Sequence, residues 1–323
     1  MSKIAFVTGG TGFIGSHLVE SLIDWGYSEI RCLVRSKPKW LTDLDVVQIN
    51  GSIDDDALIL KALNGTDHVF HVGAMTRART WPPLYDANVI STINLVRAAA
   101  HSGVSKVCVI SSLAVAGHTN QLIADESTPC HPISMYGKSK LKMEQALKDI
   151  DLPIVILRPP VVYGPRDRDL LTFFAAVNRG FCVMPKNDSG LTLIYVKDLA
   201  RGIIESIKSD QTTGKTYYIG SQTTTISWTE LQHAIESALK KKSRMIHLPR
   251  SLIMPLGTIS EYAGMIFGAY PPLNREKARE ILYATKQCSS DKAFKDFGYQ
   301  SSVTLHQGIE ETITWYQSHG WLK

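Results

Sequence analysis

Tyr136 and Lys140 stand four residues apart in Tyr136-Gly137-Lys138-Ser139-Lys140, so a helix that contains both places them on one face. A phenol with an ordinary pKa of about 10 is a poor base at neutral pH, and a neighbouring ammonium improves it by stabilising the phenolate. Upstream, Ser111-Ser112 closes the apolar run 106–110. If that run is a strand of a parallel sheet, the two hydroxyls lie at its carboxyl edge, where one can hold a substrate oxygen as charge develops on it. A Tyr-x-x-x-Lys spacing arises by chance in many chains. Its position one unit after the serine strand makes the residues a set suited to proton transfer at an alcohol or carbonyl oxygen.

A second cluster, Thr8-Gly9-Gly10-Thr11-Gly12-Phe13-Ile14-Gly15, lies near the start of the chain. Gly10, Gly12 and Gly15 match G-x-G-x-x-G, and Gly9, Gly12 and Gly15 match its G-x-x-G-x-x-G variant. Both patterns describe a tight turn, a close backbone approach to a pyrophosphate and close packing of helix on strand, with phosphates on the free N–H groups of the helix N-terminus. Gly9, Gly12, Phe13, Ile14 and Gly15 are therefore candidate contacts to a dinucleotide cofactor. About twenty residues further on, where such folds often carry an acid for the adenosine ribose, the chain reads Leu33-Val34-Arg35-Ser36-Lys37. Arg35 can pair with a 2′-phosphate and stack on adenine, which favours NADP(H) over NAD(H). Lys140 then gains a second task, a hydrogen bond to the nicotinamide ribose.

These segments need a scaffold that brings residues 8–15, 111–112 and 136–140 to one edge. Hydrophobic spacing predicts strands over 3–8, 29–34, 45–49, 67–72, 106–110 and 153–157, alternating with helices over 14–25, 57–63, 85–101 and 136–148. Strict alternation argues for right-handed βαβ units and a parallel sheet covered on both faces. Beyond Pro159 helical patterns dominate, at 170–179, 196–207, 228–239, 275–283 and 304–316, with isolated strands near Leu193 and Tyr217. The expected fold is α/β: a Rossmann-like doubly wound parallel sheet with a smaller, mostly helical C-terminal substrate lobe. The dinucleotide-binding domain is placed at 1–165, with 191–222 returning to it, and the substrate-binding lobe at 166–190 and 223–323.

The chain resembles the extended short-chain dehydrogenase/reductases, also called the NAD-dependent epimerase/dehydratase family. The resemblance runs from Thr8–Gly15 through His71-Val72-Gly73-Ala74, Asn88-Val89, Ser111-Ser112, Asp125-Glu126 and Tyr136–Lys140. It continues through Arg158-Pro159-Pro160, Val162-Tyr163-Gly164-Pro165 and Val196-Lys197-Asp198-Leu199 to Trp315-Tyr316 and Gly320-Trp321-Leu322. It implies that Tyr136 is the proton donor or acceptor, Lys140 its partner, and Ser112 rather than Ser111 the substrate-orienting hydroxyl. It also implies cofactor contacts at Ile53, Gly73, Ala74, Asn88 and Pro159, beside Tyr136 and Lys140, and a homodimer.

Departures from the family pattern narrow the substrate. Val161 stands where nucleotide-sugar enzymes carry Asn, Leu191 where they carry Arg, and Tyr195 where they carry His. An apolar pair at the first two positions leaves a diphosphate without partners. Ser112-Leu113-Ala114 replaces the Thr-Asp-Glu typical of the dehydratases, and Gly51-Ser52 replaces a Gly-Asp that contacts adenine. The remaining motifs look closer to dihydroflavonol reductases and 3β-hydroxysteroid dehydrogenases.

Composition bounds the other readings. The 323 residues are 44% apolar and 20% charged, which argues against disorder and coiled coil. A net charge of +5 can help draw in an anionic ligand but is short of a nucleic-acid footprint. Five scattered cysteines without a C-x-x-C read as reduced thiols, and with no span of eighteen apolar residues and no signal-peptide pattern the expected location is the cytoplasm. His68 and His71, three apart on a strand, point to opposite faces, so no metal site is expected. The apolar segment 252–267 reads as a helix over the substrate cleft or at a dimer contact, ahead of peripheral membrane contact. The leading expectation is an NADP(H)-preferring oxidoreductase acting on a secondary alcohol or ketone of a moderately apolar small molecule. A nucleotide-sugar epimerase is the enzymatic alternative, and a non-catalytic NADP(H)-sensing regulator a second.

Overall fold

A five-residue run such as Ile4–Thr8, apolar at every interior position, satisfies both of its faces only inside a sheet covered twice. In the computed structural model, which describes residues 3–186, 190–221, 225–268, 271 and 273–323, that is its position. The strands are β1 (Ile4–Thr8), β2 (Glu29–Val34), β3 (Val47–Asn50), β4 (His68–His71), β5 (Lys106–Ile110), β6 (Ile154–Arg158), β7 (Val161–Tyr163), β8 (Phe181–Pro185), β9 (Leu193–Tyr195), β10 (Lys215–Tyr218) and β11 (Arg244–Leu248). The helices of the first half are α1 (Phe13–Asp24), α2 (Asp56–Leu63), α3 (Trp81–Tyr85), α4 (Ser91–His101) and α5 (Met135–Leu147). Those that follow are α6 (Leu171–Asn178), α7 (Val196–Lys208), α8 (Trp228–Leu239), α9 (Arg250–Ile266), α10 (Arg275–Tyr283), α11 (Asp291–Phe297) and α12 (Leu305–Ser318).

Seven strands form one parallel sheet in the order β10-β6-β5-β4-β1-β2-β3. Alternate side chains of β1 split between two cores. Ala5 and Val7 pack with Leu18, Val19 and Leu22 of α1 and Leu199 and Ile203 of α7. Phe6 packs on the other face with Ile59 of α2, Leu95 of α4 and Met143 of α5. The chain leaves β1 in one direction through β2 and β3, then returns to β4 on the opposite side. The crevice where ligands bind in such sheets therefore opens between the carboxyl ends of β1 and β4, where Thr8 pairs in register with His71.

The second half builds its own core from Phe174, Leu231, Ile235, Ile309, Ile313 and Tyr316. Within it, α7 and β10 return to the central sheet, β10 as the strand beside β6. The stretch expected to be mostly helical also contains two small parallel pairs, β7 with β9 and β8 with β11. In β8, Phe181 and Val183 face outward while Cys182 is buried, so five residues carry too short a pattern to announce a strand. The helix expected over 85–101 is preceded by α3, whose Pro82 and Pro83 occupy a first turn that tolerates them. It is interrupted by a π turn at Asp86–Ile90. The expected boundary at 222–223 lies outside the described residues. Among the described residues no helix is long and apolar enough to cross a membrane.

Candidate active site

The turn after β1 fits a pyrophosphate. Gly9 has φ +75, and a Cβ there would stand 2.5 Å from the nitrogen of Gly73. A Cβ at Gly15 would stand 2.1 Å from the Gly9 carbonyl. Only glycine allows these approaches. Helix α1 starts after Gly12 without a side-chain cap, so the amides of Phe13, Ile14 and Gly15 point outward at the positive end of the helix dipole. Uncapped helix amides beside two closely touching loops are what a dinucleotide phosphate needs.

Ser112 and Tyr136 meet at the same edge. Ser112 caps the short turn Leu113–Val115 by accepting from Ala114 N at 3.2 Å. That turn is held by Leu113 N donating to the Pro159 carbonyl at 2.9 Å. Ser134 caps α5 through Gly137 N at 3.1 Å, which starts the helix at Met135 and sets Tyr136 in its first turn. The Ser112 hydroxyl stands close enough to Tyr136 to favour its phenolate. Ser111, the other candidate, is buried and its Oγ has no partner among the described residues. Lys140 is 1% exposed and donates to the Ile110 carbonyl at 2.7 Å.

Burial raises the Tyr136 phenol to about 12; the Ser112 hydroxyl opposes this, while Glu280 and Asp169 add to it. The Lys140 ammonium is aimed at the Ile110 carbonyl. Burial brings Lys140 itself down to about 8, with Glu144 opposing.

A chain of hydrogen bonds among motif residues, closed by Thr92 from outside them, ties the two clusters together. Gly73 N donates to Thr8 Oγ1 at 3.4 Å, and Thr8 Oγ1 lies 2.7 Å from His71 Nδ1. His71 Nε2 lies 2.8 Å from Thr92 Oγ1, which donates to the Asn88 carbonyl at 2.9 Å. Since Thr92 gives its proton to Asn88, the network assigns the His71 proton to Nε2 and makes Nδ1 the acceptor. Burial first, then the charge of Lys140, pushes His71 down to about 3, so it stays neutral. Histidine and threonine at the ends of adjacent parallel strands were the visible signal.

Asn88, expected to face a cofactor, braces instead. Its amide accepts from Met75 N and donates to Met75 O, both at 2.8 Å, and donates to Ser139 Oγ of α5 at 2.9 Å. With the residue 1% exposed and both amide protons engaged, it has no donor left for a ligand. The loop after β4 is thereby pinned to the helix that carries Tyr136. A buried pair holds the other end of α5: Arg158 donates to Glu144 at 2.6 and 2.9 Å and to the Tyr218 hydroxyl at 3.1 Å. From the second lobe, Glu276 of α10 accepts from Met135 N.

The remaining candidates spread along the crevice. Arg35 is exposed just beyond β2, and Ile53 is half-buried beside α2. Gly73 touches the glycine turn, Ala74 next to it is exposed, and Pro159 is buried behind Ser112. Val161 is 37% exposed on β7, whereas Leu191 is 1% exposed and belongs to the second core. Tyr195 donates to Glu311. Glu126 accepts from Tyr218 N at 2.7 Å, satisfying the edge strand β10, as befits a structural acid.

A family model described as the NAD dependent epimerase/dehydratase family matches residues 5–220. The chain is 28% identical over 323 residues to a ceramide reductase of Caulobacter vibrioides, covering 99% of this chain and 96% of that one. It is 26% identical to an N-acetyl-alpha-D-glucosaminyl-diphospho-ditrans,octacis-undecaprenol 4-epimerase of Escherichia coli O157:H7, covering 99% and 97%. A crystal structure of a protein called gox2253 superposes with a TM-score of 0.83 at 28% identity, covering 100% of both chains.

Proposed function

Because this chain belongs to the NAD-dependent epimerase/dehydratase family of enzymes, we propose that it is an NADP(H)-preferring reductase of a ketone on a moderately apolar small molecule. Similarity to a protein named as a ceramide reductase supports a carbonyl/alcohol substrate of apolar character. The observation that carries the proposal is the Ser112–Tyr136 hydroxyl pair beside a buried Lys140, at the sheet edge next to the glycine turn.

A bound nicotinamide would supply the hydride to the substrate carbon. Gly9, Gly12 and the α1 amides would hold the diphosphate, and Arg35 the adenosine 2′-phosphate. The Lys140 ammonium would hold the nicotinamide ribose. Ser112 donates to the substrate carbonyl oxygen and fixes its position as negative charge builds there. Tyr136 transfers its hydroxyl proton to that oxygen, leaving a phenolate that solvent reprotonates. A phenol at about 12 is protonated at neutral pH, so in the reductive direction it has a proton to give. The second lobe, 166–190 and 223–323, would supply the rest of the substrate pocket.

Similarity to an epimerase of a sugar–diphosphate carrier keeps epimerisation as the alternative. Against it, the positions expected to contact a diphosphate are an apolar Val161 and a core Leu191. Titration with NADPH and with NADH, followed by nicotinamide fluorescence, tests the proposal, with apolar ketones and nucleotide sugars added in turn. The expected result is tighter NADPH, consumed on adding a ketone. Tyr136→Phe should keep cofactor affinity and lose at least about 100-fold in turnover; retained turnover removes the tyrosine from the mechanism. Arg35→Asp should abolish the preference for NADPH, and an unchanged preference refutes the role given to Arg35. A cofactor that never exchanges, with a signal altered by nucleotide sugars, establishes the epimerase instead.

A further inference from the structure

Nothing in the catalytic site accounts for the surface of α9. One side of this 17-residue helix is buried through Ile253, Gly257 and Gly264. Gly257 lies so close to α10 that a Cβ there would stand 2.9 Å from Ala278 Cβ and from the Asn274 carbonyl. On the opposite side Leu252, Leu256, Ile259, Tyr262, Ile266 and Phe267 are 40% to 83% exposed. Leu252 to Ile266 recur at three and four residues and Phe267 follows at the helix end, so they make one stripe, which none of the described residues covers. Scattered single exposures need no explanation, but a continuous apolar band does.

Charge separates across the same two helices. No charged residue lies on the exposed stripe. The acids are already engaged: Glu261 accepts both arms of Arg275 at 2.9 and 3.1 Å, Glu276 accepts from Met135 N, and Glu280 is 3.2 Å from Lys277. The cations Arg275, Lys277 and Arg279 are exposed. Arg275 also lies 5.7 Å from the ring of Tyr262, so the cationic rim adjoins the apolar stripe directly.

We propose that α9 lies flat in the interface of an anionic lipid bilayer, with its stripe at the acyl boundary and the α10 cations among the phosphate headgroups. An uncharged apolar face bordered by basic residues, with a tyrosine at the border, is the pattern of a helix that rests on a membrane rather than spanning it. Pro255 and the short length of α9 fit resting as well. A second copy is the poorer occupant. A self-complementary contact through the same stripe brings two sets of exposed cations together, with the neighbouring acids already engaged within each copy. The segment expected to cover the cleft or a dimer seam thus presents its apolar side outward. Docking stands on this surface alone and is independent of the substrate reading.

The test is co-sedimentation of the full chain with phosphatidylcholine vesicles and with vesicles that also contain phosphatidylglycerol, at low and high salt. The protein should pellet with the anionic vesicles, less so at high salt. Ile259→Glu combined with Ile266→Glu should lower the bound fraction at least about tenfold, with cofactor binding unchanged. Arg279→Glu, an exposed single change that spares the stripe, should weaken binding to the anionic vesicles only. Equal pelleting of wild type and double variant overturns the proposal, as does the absence of pelleting with either vesicle. A dimer that the double variant splits, with vesicles ignored, would make the stripe a contact between copies and overturn it too.

Discussion

Lys140 and His71 are buried bases on either side of the crevice, and burial acts on them with different consequences. Lys140, at about 8, keeps its charge at neutral pH and loses it just above. Cofactor affinity, measured by fluorescence, should therefore hold steady up to about pH 8 and weaken beyond it. In Lys140→Met it should be weak and independent of pH, and a wild-type affinity flat to about pH 9 would mean that Lys140 does not hold the ribose. His71 is neutral in the folded protein, at about 3 against 6.5 for a free histidine, and burial holds His68 at about 4. Below 6.5 the unfolded chain takes up protons that the fold refuses, so stability is complete above 6.5 and falls as pH drops from there toward 3. The slope approaches about 1.4 kcal/mol per pH unit for each group at its steepest. Urea midpoints at pH 7 and 5 read this directly. His71→Gln should flatten part of the acid slope while costing about 1–3 kcal/mol at pH 7, because Thr8 or Thr92 loses its partner.

At the scale of elements, what holds α5 in register is the buried pair between Arg158 of β6 and Glu144. Glu144→Gln leaves Arg158 charged and under-partnered, and should cost about 3 kcal/mol in urea unfolding. Adding Arg158→Leu should recover most of that loss, and a double variant no more stable than the single would show that the Tyr218 hydrogen bond matters more. The element order was largely legible because β1, α1, β5 and α5 have buried faces that impress a clear period on the chain. The glycine turn and the Tyr136–Lys140 spacing were legible because their geometry is local. The π turn at Asp86–Ile90 was not, since Asn88 there is bonded to Met75 and to Ser139 of α5, partners that local spacing does not name. Strand β8 was hidden by its exposed Phe181 and Val183. The outward face of α9 was hidden for the converse reason, because an apolar run reads as buried until its neighbours are placed.

At the scale of the molecule, the acidity of a tyrosine in the first half is set partly by carboxylates of the second. Glu280, on α10, and Asp169, just before α6, both raise the Tyr136 phenol. Asp169 is also 2.5 Å from Arg77, in the loop that follows β4, in an exposed ion pair. Removing a nearby negative charge stabilises the phenolate and lowers the pKa. Alcohol oxidation needs Tyr136 as a base and rises with pH, so its alkaline rise should move to lower pH in Glu280→Gln, by on the order of half a unit. Lys277, released from its 3.2 Å pair with Glu280, acts in the same direction. Asp169→Asn should shift the profile the same way by less. Asp296→Asn, which removes a carboxylate paired with Lys215 instead, should leave it unmoved. Profiles of kcat/KM for oxidation that coincide in all four proteins would mean that solvent screens these carboxylates, and that the first half alone sets the acidity of Tyr136.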